Sequence, residues 1–132
     1  IISSGNDGID FMESTANLDK MLFVSNNDKA ISIGENSNVT INNSKFKNNN
    51  YGVASKDLSK ASIKNSVFEE NKIQLSAYKK NWRYGNSGII NIKNSNFIAL
   101  HNNIVSDKKG EINIFTSNFD GKILKSGNVN IN

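Results

Sequence analysis

The sequence predicts an all-β chain wound as a parallel β-solenoid with about 22 residues per coil. Three observations point there. A short motif returns four times in register, apolar and polar residues alternate inside each copy, and Asn, Ser and Gly gather between the copies.

The motif reads Val39-Thr-Ile-Asn-Asn-Ser-Lys-Phe46, then Ala61-Ser-Ile-Lys-Asn-Ser-Val-Phe68. It recurs as Ile90-Asn-Ile-Lys-Asn-Ser-Asn-Phe97 and as Ile112-Asn-Ile-Phe-Thr-Ser-Asn-Phe119. The four phenylalanines lie 22, 29 and 22 residues apart, so one period with a single seven-residue insertion covers them all. Laid on that period, equivalent residues form columns. Val39, Ala61, Ile90 and Ile112 make the first, with Val129 as a fifth member; Ile41, Ile63, Ile92 and Ile114 make the next, followed by Ile131. The phenylalanines form a third, and Ile9, Ile31, Val53, Leu75 and Ile104 a fourth.

Alternation such as Val39-x-Ile41 has the period of a strand, and no window shows the i, i+3, i+4, i+7 stripe of a helix. Asn fills 25 of the 132 positions. It tolerates left-handed backbone and bonds its own chain in turns, which suits a chain that bends every few residues. Beside the aromatic column, Asn43, Asn65, Asn94 and Thr116 precede Ser44, Ser66, Ser95 and Ser117, whose hydroxyls are expected to satisfy backbone groups at a bend. Leucine-rich repeats share the period, but their L-x-x-L-x-L-x-x-N spacing is absent. At 22 residues each, 132 residues make about six coils, stacked into one domain spanning 1–132.

Composition excludes several functions. Without Cys there is no disulfide framework and no thiolate metal site. No apolar run is long enough for a membrane span. A net charge of +4, from 16 basic and 12 acidic residues, lacks the dense basic stripe that nucleic-acid binding requires. The chain opens on Ile1-Ile2 without a Met or a leader pattern and closes on an alternating strand, so it is expected to be a piece of a longer protein.

The columns resemble the right-handed parallel β-helix repeat proteins over almost the whole chain from Gly5, which implies right-handed winding. Within that superfamily, Asp7-Gly-Ile-Asp10, Asp28 to Ser37, Gly52 to Ser59 and Ala77 to Asn81 with Tyr84-Gly85 resemble particular β-helix modules. These are the modules that accompany CotH-type and lamin-tail-like modules in bacterial surface proteins. The resemblance implies an extracellular or cell-surface setting. The wider superfamily includes polysaccharide lyases, epimerases, glycosidases and phage tailspikes.

Two places carry candidate chemistry. The insertion holds Tyr78, Lys79, Lys80, Trp82, Arg83 and Tyr84, including the chain's single Trp and single Arg. Aromatic faces beside cations suit a sugar ring bearing a carboxylate, so an acidic glycan is the expected ligand, with neighbouring domains of the parent protein as other partners. Gly85 and Gly88 are assigned to the loop's turns. The plainer expectation is that Trp82 and Tyr84 fold back and merely cover the wall. The second place is a charged column: Glu13, Glu35, Asp57, Lys79 and Lys108. Its carboxylates could attract Ca²⁺. Together with Lys56, Lys79 and Arg83, Glu35 and Asp57 are also the catalytic candidates of a lyase or glycosidase. Local pairing into a solvated charge row is the plainer expectation. Asp7, Asp10 and Asp28 fit turn chemistry, and His101 fits a solvent-facing turn.

The favoured expectation is therefore a non-catalytic solenoid module with a wall and a loop for carbohydrate or protein binding. A polysaccharide-active enzyme and a structural spacer of a fibre or tailspike are the alternatives.

Overall fold

The structure, a computed structural model, describes residues 1–124 and 127–132. The chain winds as a stack of short strands joined by sharp corners. The first winding contains β1 (Ile9–Met12), β2 (Thr15–Asp19) and β3 (Leu22–Val24); the second contains β4 (Lys29–Gly34), β5 (Asn38–Asn42) and β6 (Lys45–Lys47). The third has β7 (Tyr51–Lys56), β8 (Lys60–Lys64) and β9 (Val67–Glu69), and the fourth β10 (Ile73–Tyr78), β11 (Ile89–Lys93) and β12 (Asn96–Ile98). After them come β13 (Asn102–Ser106), β14 (Glu111–Phe115), β15 (Gly121–Ile123) and β16 (Asn128–Ile131).

Every pairing among these strands is parallel and joins one winding to the next. Three walls result. The first runs β1-β4-β7-β10-β13-β15, the second β2-β5-β8-β11-β14-β16, and the third β3-β6-β9-β12. This is a parallel β-solenoid of about five turns. The expected six is one too many, because the insertion and the incomplete end windings use chain without adding height. At the usual strand spacing, five turns span about 24 Å.

The predicted columns stand in register. Ile9, Ile31, Val53, Leu75 and Ile104 pair rung by rung up the first wall. Val39, Ala61, Ile90, Ile112 and Val129 do so up the second, with Ile41, Ile63, Ile92, Ile114 and Ile131 beside them. Phe46, Phe68 and Phe97 stack with ring centroids 4.6 and 5.3 Å apart, and Phe119 closes the file edge-on at 5.3 Å. Below them sits Phe23, parallel to Phe46 at 5.3 Å, which the 22-residue period had not placed. The cause is local. Met12 pairs with Gly34 but Thr15 with Asn38, so the first winding is one residue short at its first corner. It recovers that residue after β3, where Val24 pairs with Lys47 and Lys29 with Tyr51.

The corners account for part of the Asn content. Lys20, Asn43, Asn65, Asn94 and Thr116 all hold positive φ at the corner between the second and third walls. Ser25, Asn48 and Glu70 do the same after the third wall, and Glu13, Glu35 and Asp57 after the first. Asn bears this conformation at lower cost than most residues.

Hydrogen-bonded ladders finish the interior. Ser44 Oγ accepts the amide of Met21, and Ser66, Ser95 and Ser117 each accept the amide of the serine one winding below. Each hydroxyl also donates to the carbonyl two residues back, as the serine column was expected to do. A second ladder was not foreseen. The Asn26 side-chain amide donates to Asn49 Oδ1 at 2.8 Å, Asn49 to Asn71 Oδ1 at 2.8 Å, Asn71 to Gln74 Oε1 at 2.7 Å, and Gln74 to Asn102 Oδ1 at 3.0 Å. All five are buried, and the spacing of Asn49 and Asn71 was their only sequence signal.

Candidate functional site

The insertion leaves the rod after Tyr78, the last residue of β10, and returns at Ile89. Two aspartates fasten it. Asp57 Oδ1 accepts the backbone amides of Lys80 and Asn81, both at 2.8 Å. At the other end Asp107 accepts the Lys79 amide at 2.7 Å, the Ser87 hydroxyl at 2.7 Å, and the amides of Lys109 and Gly110 at 3.0 and 2.7 Å. Burial opposes ionisation of Asp107, but these donors outweigh it and hold its carboxyl below the usual range. Gly88 then passes so close to the third winding that an added Cβ would lie 2.1 Å from the Ser55 carbonyl oxygen. No described glycine has positive φ, so Gly88 is required for close approach rather than for a left-handed turn.

Folded back in this way, the loop meets the corner of the first wall and the two sequence candidates converge. A cleft of about 450 Å³ is lined by Glu35, Lys56 and Asp57 from the charged corner and by Lys80, Asn81 and Trp82 from the loop, with Asp10 beneath. Trp82 is 83% exposed and does not cover the wall. Arg83 is exposed beside it, its guanidinium 5.9 Å from the indole centroid. Tyr84 lies partly exposed near the acidic corner: burial raises its phenol, and Glu35, Glu13 and Asp57 raise it further. Lys79 is exposed at the loop's start. Tyr78 is separate, half-buried on the outer face of the first wall, where a second cleft of about 360 Å³ is lined by Tyr51, Ser76, Tyr78, Lys79, Val105 and Asp107.

Lys56 is 6% exposed and lies across Gly34, whose missing side chain makes the room: a Cβ there would stand 3.2 Å from Lys56 Cε. Burial lowers its ammonium below the usual lysine range; Asp10 opposes this, while Lys80 and Lys29 add to it. The ion pairs among the described residues do not include Lys56.

Glu13, Glu35 and Asp57 do form one corner row, since the Glu13 amide donates to the Glu35 carbonyl and the next residue, Asn36, donates to that of Asp57. Asp57, 2% exposed, spends one carboxylate oxygen on the loop's amides. Among the described residues no group of three or more acidic or His side chains is placed to hold a metal ion. Asp7 and Asp28 pair with Lys29, at 3.4 and 2.5 Å, while Asp10 stands apart on the first wall. His101 is exposed at a bend. Among the described residues no helix is long and apolar enough to cross a membrane.

Compared with protein-family models, curated proteins and solved structures, the chain finds no match in any of the three.

Proposed function

We propose that this solenoid is a non-catalytic binding module of a bacterial surface or secreted protein, and that it takes an acidic glycan in the cleft between the loop and the first wall. The observation that carries this is the exposed Trp82, held by a stapled loop above a cleft containing both cations and carboxylates. An indole face stacks on a sugar ring. Arg83 and Lys80 supply partners for the sugar's carboxylate, and Glu35 and Asp10 can accept its hydroxyls. A loop fixed beforehand loses little entropy on binding. The surface setting rests on the resemblance to modules of bacterial surface proteins.

Isothermal titration with an acidic oligosaccharide tests the proposal. Weak binding is expected, weakening further as salt is raised, and lost in Trp82→Ala with Arg83→Ala. Unchanged affinity in that double variant sinks it. Turnover of a polyuronate, abolished by Asp57→Asn, would replace it with the enzyme alternative. No binding and no turnover would favour the spacer.

A further inference from the structure

Lys56 is a buried titratable side chain with no part in the repeat or in the glycan contacts proposed above. It ends β7 and lines the loop cleft. Its terminus lies over Gly34 of β4, where an added Cβ would stand 3.2 Å from Lys56 Cε and 3.6 Å from Nζ. The niche exists because position 34 has no side chain. Other lysines of the walls are held by carboxylates, Lys29 by Asp7 and Asp28 and both Lys45 and Lys47 by Glu69; the ion pairs among the described residues leave Lys56 out. Burial is the largest influence on its charge and favours the free amine. Lys80 from the loop and Lys29 from β4 act in the same direction, while Asp10 from β1 and Asp7 oppose them. Glu35 and Asp57 line the same cleft, and Asp57 spends one carboxylate oxygen on the loop's amides.

An amine that is held in one place, desolvated along its stem and set at the side of a cleft is a nucleophile. We propose that Lys56 captures an aldehyde entering the loop cleft, as an imine. The nitrogen lone pair attacks the carbonyl carbon and forms the C–N bond. Both amine protons pass to the carbonyl oxygen, which leaves as water while the C=N bond forms. Nothing is oxidised or reduced, so the step needs no co-reactant. The cleft, about 450 Å³ with Glu35 and Asp10 in its lining, selects the class of ligand: a small hydroxylated aldehyde, whose carbonyl meets Lys56 while the carboxylates accept its hydroxyls. This goes beyond the glycan reading, since the imine requires neither an acidic sugar nor stacking on Trp82.

Glyceraldehyde with cyanoborohydride, which reduces an imine to a stable secondary amine, is the test on the intact chain, with the labelled lysines located by peptide mass mapping. At neutral pH Lys56 should be labelled at least about fivefold faster than the exposed Lys60 and Lys64. The advantage should shrink towards about pH 10, where surface amines lose their protons as well. Lys56→Arg should remove the fast phase and leave the slow labelling elsewhere. Label spread evenly over the lysines at neutral pH, or led by another lysine, overturns the proposal, and so does a fast phase that survives Lys56→Arg. A chain labelled at Lys56 that binds no acidic oligosaccharide keeps this inference and loses the glycan site; binding without the label does the reverse.

Discussion

Two corners of the same solenoid have solved the same turn in different ways. Between the second and third walls, each of the upper windings repeats a single device: an Asn or Thr at positive φ, then a serine whose hydroxyl takes an amide from below and returns a bond to its own winding. After the first wall the left-handed position is held by Glu13, Glu35 and Asp57, and the pattern stops where the loop departs. Asn at the regular corner satisfies the turn and offers little else. A carboxylate in that conformation brings charge with it, and at Asp57 that charge captures two amides from the next winding's insertion. Regularity thus builds the rod, and its failure at one corner builds the cleft.

The sharpest way to break the regular side is through the aromatic file. Phe68 is fully buried and stacked on both faces, so Phe68→Ala should destabilise the chain by about 3–5 kcal/mol in denaturant unfolding. A loss under about 1 kcal/mol would contradict its place in the core. On the irregular side a single damaging methyl belongs at Gly88. An alanine there meets the backbone of Ser55, which cannot swing aside, and overpacking of that kind should cost about 1–3 kcal/mol. The same substitution at Gly85, which has nothing within 4 Å, should be close to neutral. Equal effects at the two glycines would remove the distinction between close approach and turn.

How much of this was legible in the sequence follows the same division. Wherever a residue's task repeats with each winding, its identity repeats too, so Ile41, Ile63, Ile92 and Ile114 disclose their column in the sequence alone. Phe23 was hidden by two compensating one-residue shifts that leave the overall period intact. The amide ladder was masked because polar residues carry no hydrophobic periodicity, and because Gln74 takes over where the Asn column is broken by Leu100. In the site, the aromatic and basic content of the insertion was visible. Its position over Glu35 and Lys56 was not, since that depends on hydrogen bonds that Asp57 and Asp107 accept across windings. Of the two, only Asp57 stands out in the sequence, as a candidate catalyst or ligand rather than an anchor.

A smaller effect tests whether the serine ladder is as uniform as it looks. Ser66 Oγ accepts the Ser44 amide and donates to the Lys64 carbonyl, and both contacts are buried or nearly so. Ser66→Ala removes them with almost no change in volume and leaves an amide unpaired, which should cost about 1–3 kcal/mol. Ser95→Ala should match it, because Ser95 Oγ accepts the Ser66 amide and donates to the Lys93 carbonyl in the same way one winding higher. A clear difference between the two would show that the ladder is graded along the rod. The comparison gains from being internal, since the two variants share their unfolded-state chemistry.

The smallest global effect is expected from Asp107, and it is the one that isolates the loop. Its donors favour the ionised form and lower its carboxyl from the ordinary value of 3.8. A depressed folded value contributes stability that is fully present above the ordinary one and drains away as pH falls through the lowered one. Protection of the amides of Lys79 and Gly110 against hydrogen exchange should therefore hold at neutral pH and decline below about pH 4. Asp107→Asn should weaken that protection at every pH and flatten its decline, while unfolding of the rod moves little, because the serine and phenylalanine files lie elsewhere. Should the variant instead lower the unfolding midpoint as far as Phe68→Ala does, loop and rod would be one cooperative unit. The cleft could then not be altered without altering the fold, and the division between a repeating scaffold and an interrupted corner would have to be given up.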